Sequence, residues 1–591
     1  MDTQWSSSLV IEVDGVPLDP LVADLLVGAV VENSMHLPDM FELVFTDPAA
    51  DVAELGGFVP GAEVVISVDN GEPVPVPLVV GEVTALELEY DQTGKRTIIR
   101  GLDLSNRLMR GKKTRVFEDM LASEIVEEIL AENGIELNEI EPTDDLIEYK
   151  LQAGVTDWDF IQTLAMDCGY RAYMSDGVFT FAPAVPPVEG DVPGTLEESG
   201  PTQIVVGDSL IRLRAVVRSN EQVEDVQVTG WSPLEDAPVI GVSPAEAIAT
   251  ETVVQPEELA SVEGANSFLY LGFPTADEDA AETKAAALGN QLAESYAELE
   301  GECMGDAALK AGVAINLSLA GASFDGAYTL TSTRHVFSPE SGYTTQFSAS
   351  GWQDRTLLGL AKGPEVGVTP PPQRINGVVS ATVVNVRDPE EQGRVQVLYE
   401  WMDTEGVAMS DWARVVQIGA GEGFGFFWLP EEGDEVLVSF EQGDPSRPVV
   451  LGSLYNTVLE PAAPAAIDEA TGLVAMRRIS SRFYHNITFL DSEEQTGILI
   501  ETGDELAGIF LDADEQVISI YNLDGDIAIS GTDIQISAEG DLSLEAVGEL
   551  SISAASVTIE GEGDVSLSGA AVELTAEGEM SLDGPIVTIN G

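Results

Sequence analysis

The chain has 591 residues, 103 of them acidic and 26 basic, for a formal net charge of −77. That length calls for several domains rather than one core, and 44% hydrophobic residues with a mean hydropathy of +0.09 mark folded rather than disordered sequence. The charge excludes nucleic acid as a partner, because phosphate binding needs basic patches, and an anionic membrane surface would repel the chain. Only seven of the bases are lysine. Such acidity suits a salt-filled cytoplasm, where a screening length of about 3 Å at about 1 M salt stops crowded carboxylates from repelling one another. Two cysteines, Cys168 and Cys303, are too few for a disulfide framework and read as core residues. Met1-Asp2-Thr3-Gln4-Trp5 has neither the basic region nor the apolar run of a signal peptide. No apolar stretch is long enough to span a bilayer. The expectation is assembly in the cytoplasm, with any membrane contact transient.

Stretches rich in Pro, Gly and acid divide the chain into 1–183, 200–365, 374–458 and 473–591. The first segment opens with short alternating runs at Leu9–Val13, Phe41–Phe45 and Glu63–Val68, each predicting a strand. Ile125, Val126, Ile129 and Leu130 recur at helical spacing before Gly134, predicting a helix over 122–133. Trp158, Ile161, Leu164 and Ala165 predict a second over 157–167. The second segment adds strands and an Ala-rich helix near 277–299, and the third reads as a small, dense β unit.

The last segment is a repeat. Apolar pairs at i and i+2 recur as Ile527/Ile529, Ile534/Ile536, Leu542/Leu544, Leu550/Ile552, Val557/Ile559, Val565/Leu567, Val572/Leu574, Met580/Leu582 and Val587/Ile589. The steps of seven or eight residues predict nine short strands, each sending two apolar side chains to one face. Two such residues per strand cannot build a core in one chain. Three chains wound into a triangular prism could, and would leave no open edge along its length. A calcium-binding roll would need a nine-residue period with paired glycines. A sandwich would have longer strands.

Residues 377–456 contain an ordered series: Gly377-Val378-Val379, Val386-Arg387-Asp388-Pro389, Gly393-Arg394-Val395-Gln396-Val397, Ser410-Asp411-Trp412-Ala413-Arg414-Val415, Leu429-Pro430-Glu431-Glu432-Gly433-Asp434-Glu435-Val436, Phe440-Glu441-Gln442-Gly443-Asp444-Pro445 and Gly452-Ser453-Leu454-Tyr455-Asn456. The Gly-Asp and Asp-Pro steps set turns, and Val395/Val397 and Val436/Val438 are inward-facing pairs of a small barrel. This series resembles the OB-fold domain of VgrG and phage spike proteins. Residues 1 to about 365 resemble the hub of the same proteins. Ser34-Met35-His36-Leu37-Pro38-Asp39-Met40-Phe41 is similar to spikes of extracellular, phage-tail-like injection systems. Gln152 with Asp157-Trp158-Asp159-Phe160-Ile161, and Tyr328 with His335-Val336-Phe337 and Gly342-Tyr343-Thr344-Thr345, are similar to hub motifs.

The expected fold is therefore mainly β with a few helices: β-barrel hub domains, an OB collar and a trimeric β-helix needle. The resemblance implies a homotrimeric, non-catalytic central spike of a contractile injection system. Its implied partners are an inner-tube protein, baseplate proteins, a PAAR-like tip protein, possible effector cargo and, transiently, a target membrane. The residues expected to carry assembly are Asp388, Pro389, Gly393, Arg394, Trp412, Gly433, Asp434, Gly443, Asp444 and Pro445 in the barrel, and Ile552, Val557, Ile559, Leu582 and Ile589 in the needle. No catalytic, cofactor or metal site is expected, since His36, His335 and His485 lie in different segments without ligand spacing. An envelope-degrading spike and a free-standing trimeric adhesin or fibre are the competing readings.

Overall fold

The computed structural model describes residues 8–187, 202–352, 374–463 and 466–589, apart from 72, 93, 138, 221, 234, 263, 265, 340, 341 and 403–406. The described chain is mostly β and falls into two units, Met1–Pro461 and Ala462–Gly591.

The first unit is organised by one large sheet. Its strands are β1 (Ser8–Val13), β2 (Val16–Pro17), β3 (Leu26–Ser34), β4 (Met40–Thr46), β5 (Glu63–Asp69), β6 (Val76–Asp91), β7 (Gly94–Asp103), β8 (Leu210–Val217), β9 (Ala297–Met304), β10 (Ser332–Ser338) and β11 (Gly342–Ala349). They lie in the order β8-β9-β11-β10-β3-β4-β7-β6-β5-β1-β2. The β10–β3 pairing, with Ser332 opposite Ser34 and Phe337 opposite Ala29, joins segments that the sequence separates into two parts of a hub. Strict alternation in β4, Met40 to Thr46, buries Phe41, Leu43 and Phe45 against Val64 and Ile66 of β5. The other half packs Leu299, Cys303 and Phe347 against Ile315, Leu317 and Tyr328 of a four-stranded sheet.

Three helices sit beside these layers. Helix α1 (Ala122–Glu132) ends just before Gly134, whose φ of +66° suits a residue without a Cβ. Helix α2 (Asp157–Cys168) is capped by the Thr156 hydroxyl, which accepts from the Asp159 N–H, and ends at left-handed Gly169. The two pack Ile125, Ile129, Trp158, Ile161 and Leu164 into one core. Helix α3 (Glu278–Ala293) stops earlier than its Ala-rich composition predicts: 294–296 form a 3-10 turn and β9 begins at Ala297, where Leu299 is needed in the sheet core.

The OB barrel is the five-stranded sheet of Gln396–Leu398, Val378–Asn385, Glu435–Phe440, Pro448–Ser453 and Arg414–Val415, in that order. Val383, Val395, Val397, Tyr399, Val436, Val438 and Val450 fill its interior.

The second unit opens with a five-stranded antiparallel meander, Met476–Ser480, Asn486–Asp491, Thr496–Glu501, Ala507–Asp512 and Val517–Asn522. Beyond Asn522 the sequence expectation of nine strands is not met within one chain. Residues 524–589 form no strand and are exposed throughout, and Ile552 and Leu582 stand 65% and 62% exposed. The reason is elementary: a strand exists only with a ladder partner, and a two-residue apolar run has none when the next run faces the same way.

Candidate functional site

The residues singled out in the OB barrel build three separate turns rather than one site. In the first, the Asp388 carboxylate accepts from the backbone N–H groups of Glu390 (3.1 Å), Gln392 (2.9 Å) and Arg394 (3.1 Å) and from the Arg394 guanidinium at 2.7 Å. Burial works to raise the Asp388 pKa, but the guanidinium and the three N–H donors outweigh it and hold the carboxyl far below its usual range. Pro389 and left-handed Glu391 carry the chain around the carboxylate to Gly393, itself at φ +75°. Arg394 then lies 6.0 Å over the Trp412 ring. In the second turn, Gly433 donates to the Val383 carbonyl and the Asp434 carbonyl accepts from the Val383 N–H, while the Asp434 carboxylate accepts from the Glu431 N–H at 2.9 Å. In the third, the Gly443 carbonyl accepts from Ile375, and Asp444 and Pro445 lead to Ser446, whose N–H donates to the Asp444 carboxylate.

That third turn meets the strand Leu146–Val155. The Ser446 hydroxyl accepts from the Leu151 N–H at 3.3 Å, the Tyr149 hydroxyl donates to the Met409 carbonyl at 2.7 Å, and Leu151 is buried inside the barrel core. Tyr149 and Leu151 were missed in the sequence because the run Leu146–Val155 reads as one more strand, and nothing in its alternation says that its buried side faces another domain.

The motifs quoted from residues 34–41, 152–161 and 328–345 are structural locks. Gln152 takes the Arg115 Nε donor on its oxygen at 3.0 Å and donates to Asp157 at 3.0 Å; Lys113 reaches the same carboxylate at 2.7 Å. Asp39 closes the turn between β3 and β4: it accepts from Asn33 at 2.7 Å and from the Ser34 N–H at 2.9 Å, and its own N–H donates to Asp103. Burial, then the charge of Asp103, push the Asp39 carboxyl well up, and burial raises Asp103 to about 6. His335 is fully buried between the Tyr343 hydroxyl (2.9 Å) and the Leu309 carbonyl (3.0 Å), and burial lowers it to about 4. His485 accepts from the Gly503 N–H. Burial pushes the Cys168 and Cys303 thiols up to about 12, so neither is poised as a nucleophile.

Among the described residues no group of three or more His, Cys, Asp or Glu is placed to hold a metal. A cleft of about 400 Å³ between Thr229–Trp231, Leu271–Thr275 and the Glu441–Arg447 turn presents only one acid and one base among its lining residues, and Arg414 and Arg447 both approach that acid, Glu441. No helix among the described residues is long and apolar enough to cross a membrane.

The feature that stands out is the meander of the second unit. Its registers place Ile479, Ile487, Ile500, Ile509 and Ile520 in one row and Arg477, Phe489, Ile498, Leu511 and Ile518 in the next, all on one face. Nine of these ten side chains are apolar, and none is buried. The i, i+2 spacing does not mark this face, because its strands are five or six residues long and both of their faces carry some apolar residues. The needle candidates Ile552, Val557, Ile559, Leu582 and Ile589 continue in the same exposed state in the single chain.

Residues 379–455 match the type VI secretion system/phage-baseplate injector OB domain, and residues 45–338 match the Alg8 N-terminal domain. Over 94 residues the chain is 38% identical to the type VI secretion system spike protein VgrG1b of Pseudomonas aeruginosa, a match covering 15% of this chain and 13% of that protein. Over 145 residues it is 26% identical to the actin cross-linking toxin VgrG1 of Vibrio cholerae, covering 24% of this chain and 13% of that protein. The chain thus spans about an eighth of the length of these relatives. In fold it is similar to a chain of the Francisella PdpA-VgrG complex, with a TM-score of 0.51, 9% identity and 88% of each chain covered. The chain is VgrG-like in its OB sequence and VgrG-like in fold over most of its length.

Proposed function

We propose that this protein is the trimeric central spike of a contractile injection system, linking an inner tube and baseplate to a needle that is driven through an envelope. The observation that carries the reading is the nine-residue apolar face of Met476–Asn522, followed by exposed apolar pairs to Ile589, none of it buried by the chain itself. Monomeric proteins rarely leave such a surface in water, and three copies facing a common axis bury it without leaving an open edge. The domains of the reading are the hub over 1–183 and 200–365, the collar over 374–458 and the needle over 473–591. The action is mechanical, and paired, hydrogen-bonded turns make the collar stiff. A tip protein of the PAAR kind, baseplate proteins and possible cargo are its remaining partners. Co-expression with sheath, tube and baseplate proteins tests this. Particles should carry three copies beneath the tube, and complete particles formed without the chain would refute it. A zymogram against envelope polymers separates it from an enzyme-bearing spike, which would clear the gel.

A further inference from the structure

The strands Asp225–Ser232, Ala237–Pro244 and Ser267–Tyr270 form a small sheet with Asp225–Ser232 in the middle. Alternation along them gives the sheet two apolar faces. One face is covered: Val226, Val228 and Val239 pack on Ala281, Ala285 and Leu288 of α3. Gly241 allows this close approach, because a Cβ there would stand 2.4 Å from the Ala281 carbonyl oxygen. The other face is bare. Val242 and Leu269 flank Gln227 on its two sides, and Ile240 lies opposite Thr229. Trp231 is 49% exposed, Ile240 42%, Val242 53%, Leu269 54% and Leu271 57%. So many large apolar side chains on one face mark a binding surface rather than ordinary scatter.

The bare face runs into the cleft of about 400 Å³, where Thr229, Trp231 and Leu271 meet the collar turn Glu441–Arg447. Basic groups gather at this end. Arg414 pairs closely with Glu441. Arg447 stays 4.0 Å from the same carboxylate, too far for a hydrogen bond to it. The Arg374 guanidinium packs on Gly272, 2.9 Å from where a Cβ would stand, and the Arg374 Cβ lies beside Gly443. Three arginines thus gather at a cleft lined by one acid, in a chain with 26 bases and 103 acids. Glu235 and Asp236, in the turn beyond Trp231, do not line the cleft, and Asp225 stands at the far end of the face. Gln442 in the cleft wall holds φ +51°, a backbone strain of the kind kept at ligand sites.

We propose that this face and the cleft at its end bind a short, extended acidic segment of another protein. Its apolar side chains lie on Leu269, Val242, Ile240 and Trp231, and its carboxylates reach Arg447 and Arg374. Charge decides the occupant. A guanidinium presents a planar fork of donors that a carboxylate matches, and burial beside Trp231 strengthens the pair. A long polyanion is refused, since the surrounding chain carries a net charge of −77. Charge also sets the direction: the acidic end of the segment lies toward the collar, away from Asp225. The inference goes beyond the spike reading and requires no particular number of copies.

The test uses the full-length chain in high salt and two fluorescein-labelled peptides, each of alternating Leu and Ser followed by a run of Glu in one and of Lys in the other. Fluorescence anisotropy should show the Glu peptide binding at least about tenfold more tightly than the Lys peptide. Arg447→Glu should weaken the Glu peptide by about tenfold or more and favour the Lys peptide. Trp231→Ser and Leu269→Ser, both at exposed positions, should each abolish binding with the melting temperature and light-scattering mass unchanged. Failure of both peptides to bind overturns the proposal. Equal binding of the two overturns the charge matching, and binding that survives both serine variants places the peptide elsewhere. A fall in mass for Trp231→Ser, with no peptide bound to the native chain, overturns the proposal in favour of a second copy on this face.

Discussion

Ile509 lies at the middle of the uncovered apolar face, between Ile500 and Ile520 on the neighbouring strands, and is 39% exposed in the single chain. Burying the exposed remainder of such a side chain is worth roughly 1 kcal/mol, so the nine apolar positions supply roughly 10 kcal/mol per chain of gross driving force for assembly. Ile509→Asp leaves the single chain nearly unchanged, because the new carboxylate reaches water. In a trimer the same substitution sets three like charges in an apolar core, at several kcal/mol each. The expected result is loss of the three-chain species in light scattering, with the far-UV circular dichroism of the hub and barrel retained. Ile509→Val should cost about 1 kcal/mol and keep the assembly. A three-chain mass and an unchanged melting temperature for Ile509→Asp would refute the claim that this face is the trimer core.

Ile552→Asp should fray the needle locally while leaving the meander assembled, read as protease sensitivity confined to the C-terminal part. Residues 483–591 hold 23 acids and no Lys or Arg, 69 acids in a trimer, so the melting temperature should rise steeply with KCl; a flat response removes the argument from screening. Asp388→Asn should destabilise the barrel by about 2–4 kcal/mol, because it loses the charge-assisted bonds to Arg394. The Asp388 pKa is depressed in the fold, so its contribution is full above the unfolded value near about 4 and fades as pH falls below it, and the Asn variant should lose this acid dependence. His335 is depressed to about 4, so its stabilisation is present above about 6.5 and drains as pH falls between those values; His335→Gln should flatten the melting profile there. Tyr149→Phe should cost about 1 kcal/mol at the hub–collar joint, seen as earlier barrel unfolding.

The parts of the molecule readable in the sequence were those that local chemistry dictates. Gly433, Gly443 and the Asp388–Arg394 loop announce turns because few residues accept a left-handed backbone or hold several N–H donors at once. Helices α1 and α2 were readable from the spacing of Ile125, Ile129, Trp158 and Ile161. The hub sheet was not, because β3 and β10 are about 300 residues apart and their pairing is a tertiary event that alternation cannot register. The meander was passed over for a similar reason: which face of Thr496–Glu501 is the interface depends on what covers it. The repeat after Asn522 was read as apolar pairs on strands that several chains wind together; in the single chain these residues stay exposed and form no strand, since pattern specifies which face is apolar but not who supplies the neighbour.

The central claim is that this chain is built to bury its C-terminal apolar face against two copies of itself. Multi-angle light scattering of the full chain in molar KCl measures this directly. The full chain should have a mass of three chains at all concentrations down to the detection limit. A stable, folded species with the mass of one chain would contradict it.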